Sequence, residues 1–266
     1  MYLSMVVFEE CLAEYHPRMT GHSDLIKIKF MGVQEAMEGQ EYLPDHMLLE
    51  HVEYFVSHPV PAAWGCLCIG EPPEDLFKNN ICLIFPENTD RTRLYHDVQK
   101  IFFLYNSWEM EIRKAMQRNA TLEEMCNLCI PIFEKPIFIH DRNNELLAIA
   151  NEMAGQFSWQ YDETFDKYYL PLEILNTFKS SDEYHKTLHT YGAHVFSAKA
   201  TGYRTLYVNL RIEWVYVGRV CLDEIGTPIR KRDYELLEFF ADNIALAMQQ
   251  GMLLVSDVSN VLSILF

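Results

Sequence analysis

"PIFIHDRNNELLAIAN", residues 136–151, sets an apolar run, a polar D-R-N-N bend and a second apolar run in succession. That order reads as a β-hairpin. His140 and Asp141 meet at the bend, and the pair invites a catalytic reading. Neighbouring strand residues point to opposite faces, however, so the two are poorly placed to bond to one another. Asp141 is better suited to accept backbone N–H groups in the turn.

The surrounding pattern extends the hairpin into a sheet. "AHVFSAKA", "RTLYVNLRI" and "WVYVGRVCLD" read as three further strands, the last two forming a second hairpin. Between the hairpins lie the aromatic stretch "FSWQYDETFDKYYLPLEIL" and a polar helical piece, "SDEYHKTLHTYG". Strands, helical insertions and more strands describe an α+β domain on an antiparallel sheet over residues 121–250. Upstream, residues 1–90 read as a small α/β domain. It has a helix over residues 5–15 with Ser4 as its cap, a half-buried strand "LIKIKF", and short apolar strands at 66–70 and 81–85. A connecting and dimerisation helix is expected next, over 91–120. In it, Leu94, Val98, Ile101, Tyr105, Trp108, Ile112 and Ala115 form one stripe. The helix beginning "LEEMCNLCIPIF" carries a capping box, Thr121 with Glu124.

A last helical segment has the same four-three alternation at Leu237, Phe240, Ile244, Ala247, Gly251, Leu254, Val258, Val261 and Leu265. Sustained heptads predict a helix that pairs, hence a homodimer. The apolar ending "VLSILF" predicts that the natural protein continues beyond residue 266, with 251–266 opening a helical linker.

Composition excludes several function classes. With 266 residues, the chain carries 38 acidic against 22 basic side chains, a formal charge of −16. Such a chain repels nucleic acid. No apolar run reaches the roughly 18 to 20 residues of a membrane-spanning helix, and no basic n-region opens a secretory signal. A cytoplasmic protein with no membrane partner is expected. The odd set of seven cysteines, Cys11, Cys66, Cys68, Cys82, Cys126, Cys129 and Cys221, suits reduced buried thiols.

Candidate chemistry is sparse. Cys126 and Cys129 have CxxC spacing, and Cys66 with Cys68 could complete a four-sulfur zinc site, but all four lie in apolar patterns that favour structural thiols. His185, His189 and His194 form an H-x3-H-x4-H set that could hold a metal. Lys186 stands where a zincin helix places its glutamate, so no built-in base accompanies them. The chain has no G-x-S-x-G elbow, P-loop or G-x-G-x-x-G. No enzyme and no cofactor is expected. Trp159, Tyr161, Tyr168, Tyr169, Tyr203, Tyr207 and Trp214 instead gather around one sheet, and aromatics with polar tips suit a small-ligand pocket as well as a plain core. Alternation puts Leu206, Val208 and Leu210 on one face and Tyr207 with Asn209 on the other, while His194 and Phe196 share a face of the preceding strand. The candidate ligand-binding set is therefore Trp159, Tyr168, His194, Phe196, Tyr207 and Asn209, with Tyr168, His194, Tyr207 and Asn209 ranked ahead of His140.

The hairpin at 136–151, the strand pair "GYRTLYVNLRIEWVYVGRVCLD" and the helix "KRDYELLEFFADNIALAM" resemble a GAF-type sensor domain. With "LSMVVFEECLAEYHPRM", "IGEPPEDL" and "YHDVQKIFFLYNSWEMEI" before them, they resemble the N-terminal and sensor regions of a bacterial PucR/CdaR-like transcriptional regulator. The resemblance implies an antiparallel sheet backed by N- and C-terminal helices, its other face closed over a small-molecule effector. It also implies DNA contact only through a C-terminal helix-turn-helix that is not in this chain. The N-K-x-D-E run of many cyclic-nucleotide GAF domains is missing, which argues against that ligand. The alternatives are a metal-dependent enzyme or metal sensor built on His185, His189 and His194, and a purely structural dimerisation module.

Overall fold

A computed structural model describes residues 1–21, 23–35, 41–249 and 251, and the chain divides into two units, Met1–Glu109 and Met110–Phe266. In the first unit, β1 (Leu3–Ser4) leads into α1 (Met5–Cys11) and then β2 (Arg18–Thr20), β3 (Lys29–Phe30), β4 (Gly32–Glu35) and β5 (His46–His51). Next come α2 (Val52–Ser57), β6 (Gly65–Ile69), α3 (Glu74–Asn79), β7 (Ile81–Phe85) and α4 (Arg91–Gln117). The main sheet has the order β2-β7-β6-β5-β4, with β4 to β7 parallel and β2 antiparallel at the edge. Its central strands β6 and β7 are buried along their whole length, as parallel strands covered on both faces must be.

Three details differ from the sequence expectations. "LIKIKF" forms a 3-10 turn, Ser23–Lys27, before the two-residue β3. Ile26 is exposed there and Leu25 and Ile28 are only half-buried, so Phe30 is the one fully buried side chain of the stretch. The first helix stops at Cys11 and continues as a 3-10 turn over Ala13–Tyr15. Among the described residues, the CxxC and CxC thiols do not converge: Cys66 and Cys68 pack with Cys82, Phe55 and Leu76, while Cys126 and Cys129 lie fully buried in the second unit. Burial pushes the Cys126 thiol upward, opposite to what a thiolate metal ligand requires.

Asp90 starts α4, its Oδ1 accepting the Arg93 N–H at 3.0 Å. All seven stripe residues, Leu94 through Ala115, are buried within the chain. The protein's own core covers this stripe. In the second stripe, Leu237, Phe240, Ile244 and Ala247 are buried as well. Leu254, Val258, Val261 and Leu265 lie outside the described residues.

The second unit continues with α5 (Leu122–Asn127), α6 (Ile130–Phe133), β8 (Ile137–Asp141), β9 (Leu146–Ala150), β10 (Gln160–Asp162) and β11 (Lys167–Tyr169). It ends with α7 (Leu172–Lys179), α8 (Asp182–Thr187), β12 (Ala193–Phe196), β13 (Thr205–Ile212), β14 (Val215–Asp223) and α9 (Lys231–Gln249). The Thr121 capping box forms as expected: Glu124 N–H donates to Thr121 Oγ1 at 3.1 Å, and Thr121 N–H donates to the Glu124 carboxylate at 2.9 Å. Pro131 falls where the run breaks into α5 and α6.

The sheet is wholly antiparallel, in the order β12-β13-β14-β8-β9. Leu206, Val208 and Leu210 face α9, and α5 packs on β9 and β8. Glu213 and Trp214, with φ of 49° and 70°, make the two-residue turn between β13 and β14. That turn leaves Trp214 83% exposed, outside the aromatic cluster expected from the sequence. The unit is the α+β arrangement on an antiparallel sheet expected from the sequence. Among the described residues, no helix is long and apolar enough to cross a membrane.

Candidate functional site

The site follows from strand register. Cys221 of β14 pairs with Tyr207 of β13 and Phe138 of β8, and Arg219 pairs with Asn209 and His140. Directly paired residues share a face. These six side chains therefore lie on the sheet face opposite α9. Over them lie α7 and α8: Phe178 stacks on Tyr184 at 4.4 Å and meets Phe196 edge-on at 5.3 Å. A cavity of about 40 Å³ remains between sheet and cap. Its wall is mainly aromatic and aliphatic (Phe138, Phe157, Leu170, Phe178, Phe196), with Arg219, His140, Tyr184, Tyr207, Thr201 and Thr205 as its polar groups. At that size it holds a few waters at most. A larger ligand enters only if the cap moves.

Several side chains tether that cap. Asn209 Nδ2 donates to the carbonyls of Thr187 at 2.6 Å and Thr190 at 3.1 Å, and Arg211 Nη2 donates to that of Leu188 at 2.7 Å. Helix ends leave carbonyls in need of donors, and these side chains supply them from β13. Tyr207 and Thr190 join hydroxyls at 3.2 Å, Tyr184 OH donates to Asn144 Oδ1 at 3.3 Å, and Glu183 accepts from Ser197 N–H at 2.9 Å.

Arg219 is 4% exposed. Its Nη2 donates to Thr187 Oγ1 at 3.1 Å, while its Nε has no partner. The guanidinium lies 4.7 Å from the Tyr207 ring centroid, 5.5 Å from Tyr184 and 5.7 Å from Tyr216. Among the described residues, no carboxylate forms an ion pair with it. Beside it, burial and the Arg219 charge push His140 down to about 3, so its ring is neutral near pH 7. His140 Nδ1 lies 2.8 Å from the Asp141 carbonyl, an oxygen that only accepts, which places the ring proton on Nδ1. Burial raises Tyr184 and Tyr207 above the usual phenol range.

The structure divides the candidate set. Tyr207 and Phe196 line the cavity. Trp159 packs behind it, 5.4 Å from Phe138 and 5.2 Å from Phe157. Asn209 shares the right face; its Nδ2 holds the cap, while its buried Oδ1 has no partner. Tyr168 is 49% exposed in the β10–β11 ribbon, beside Tyr161. His194 is exposed at the sheet edge, its Nε2 3.0 Å from the Tyr191 carbonyl. Strand alternation gives a face but not a depth, so it favours Tyr168 and His194 over the cavity-lining His140. The sequence reading passes over Arg219, although its signal is present: one arginine within the apolar run "VYVGRVCLD". Among the described residues, no three His, Cys, Asp or Glu side chains converge to hold a metal. His185 Nε2 instead lies 3.1 Å from the Lys179 carbonyl.

A larger groove of about 590 Å³ runs between β13 and α9, walled by Arg211, Trp214 and Glu238. Its wall is mostly polar and includes the exposed Trp214, whereas the wall of the smaller cavity is apolar and mostly buried. The smaller cavity is the better candidate.

No family of known proteins matches the chain in sequence, and no curated protein matches it. Solved structures do. The cofactor-binding GAF domain of the nutrient sensor CodY from Clostridium difficile is 12% identical, with 54% of this chain and 97% of that one covered and a TM-score of 0.38. The phycoerythrobilin-bound GAF domain of a cyanobacterial phytochrome is 9% identical, with coverage of 55% and 94% and a TM-score of 0.41. A type II free methionine-R-sulfoxide reductase from Thermoplasma acidophilum is 16% identical, with coverage of 55% and 97% and a TM-score of 0.28.

Proposed function

We propose that the second unit is a non-enzymatic sensor that binds a small metabolite between its antiparallel sheet and the α7–α8 cap. The observation that carries this reading is the cavity between sheet and cap, apolar around most of its wall, on which a few buried polar groups converge. Binding would favour one position of the cap over another. Only a difference in affinity between the two can move the equilibrium. The signal would pass through β13 to α9, which packs on its far face. In a PucR/CdaR-like regulator acting as a homodimer, that signal would reposition a helix-turn-helix outside this chain.

Native mass spectrometry of the protein as purified, with thermal shift over a metabolite panel, tests the reading. The expected result is a bound small molecule or a compound that raises Tm. A second reading, a structural module with a filled core, has the small cavity volume in its favour. It gains if nothing co-purifies and no compound stabilises the fold.

A further inference from the structure

Arg219 is an unusual occupant of a cavity wall. A buried guanidinium loses several kcal/mol of hydration, and proteins ordinarily return it through a carboxylate. Here the neighbours are three tyrosine rings, the Tyr216 hydroxyl that hydrogen-bonds it and the hydroxyl of Thr187, with Nε unpartnered and no carboxylate among them. Cation–π contacts offset part of the cost but leave the net charge in place. The neutral His140 beside it provides no counter-charge.

We propose that Arg219 anchors the carboxylate of a small apolar monocarboxylate bound in this cavity, which rests on the sensor reading above. Arginine presents its N–H groups as a fork that matches a carboxylate, and such charge-assisted pairs are the strong ones. The rest of the wall fixes the ligand's other end. Phe138, Leu170, Phe178 and Phe196 offer apolar surface, and among the described residues no aspartate or glutamate lines the cavity. An ammonium group would have no acidic partner there. The cavity therefore selects a carboxylate with a hydrocarbon or aromatic body over a zwitterionic amino acid. The contact to Thr187 connects this anchor to the end of α8. A carboxylate on Arg219 competes for the donor that holds the cap, which makes ligand arrival a local change in cap tethering.

The test is thermal shift and calorimetry on the whole chain with isovalerate and benzoate, against isovaleramide, benzamide, leucine and sodium chloride. The carboxylates are expected to bind about tenfold or more tighter than their amides, the scale of one charge-assisted hydrogen bond. Chloride and leucine are expected to give no comparable shift. Arg219→Met should abolish the response and leave the unliganded protein about as stable as wild type, because removal of a buried charge that has no carboxylate partner offsets the lost contacts to Thr187 and Tyr216. Arg211→Gln, which loosens the same cap from outside the cavity, should keep the response. Equal binding of amides and acids, or a response that survives in Arg219→Met, overturns the proposal and leaves the sensor reading standing. Marked destabilisation by Arg219→Met overturns it in favour of a structural clamp. If neither the acids nor any other small molecule binds, the sensor reading fails and the proposal with it.

Discussion

Lys135 Nζ lies 2.9 Å from Asp233 Oδ2, with both side chains fully buried and the two residues 98 positions apart in sequence. The pair joins the entry to β8 to the first turn of α9, where Asp233 also accepts the Arg230 N–H at 2.9 Å. Lys135 donates in addition to the Phe133 carbonyl at 3.1 Å. Breaking one partner of such a pair leaves the other charge buried alone. Lys135→Met or Asp233→Leu is expected to cost about 3 to 5 kcal/mol in denaturant unfolding, and the double variant less than the sum of the two. Additive losses would refute the coupling.

Asp141 organises the first hairpin. Its Oδ1 accepts from the Asn143 and Glu145 N–H groups, each at 2.8 Å, and its Oδ2 accepts from Asn143 Nδ2 at 3.0 Å. Asp141→Ala strands these donors and is expected to lower stability by about 1 to 3 kcal/mol. Asp141→Asn, which keeps an accepting oxygen, should lose less.

Gly218 fits where a side chain does not. A Cβ there would overlap the backbone carbonyl oxygen of His140 on the neighbouring strand. Backbone cannot move aside cheaply, so Gly218→Ala is expected to destabilise the unit and to displace Arg219 and His140 together. Chemical-shift changes confined to the β13–β14 turn would contradict this.

Two buried groups give opposite pH slopes. Burial raises Asp223 from 3.8 to about 6, despite the hydroxyl of Thr205 at 2.7 Å. Its favourable contribution is full below about pH 4 and is lost as pH rises through 6. His140 is lowered from 6.5 to about 3 by burial and by Arg219. Its contribution is full above 6.5 and is lost as pH falls toward 3. Asp223→Asn should therefore remove a decline in stability between pH 4 and 6. His140→Gln should remove the acid-side loss. Stability curves that keep their wild-type slopes in both variants would show that neither group is linked to folding.

Much of the second unit was legible because its signals are local. The D-R-N-N bend, the strand alternation of Tyr207 against Leu206 and Val208, and the Thr121 box each depend on residues a few positions apart. The heptad stripe of α4 was equally legible as an apolar face, but what covers that face is a matter of packing. A stripe filled by the protein's own core and one filled by a partner have the same spacing.

From the order of the amino acids alone come the antiparallel sheet, its face alternation, the turn role of Asp141 and the excess of acidic over basic side chains. Which residues meet in the cavity between sheet and cap is settled by folding. Arg219, His140, Tyr207 and Phe138 come from three strands, with α7 and α8 inserted between them in the chain. Their proximity depends on register and on how deeply the cap sits. Burial depth in turn gives Arg219 its meaning, since the same guanidinium in water would need no partner.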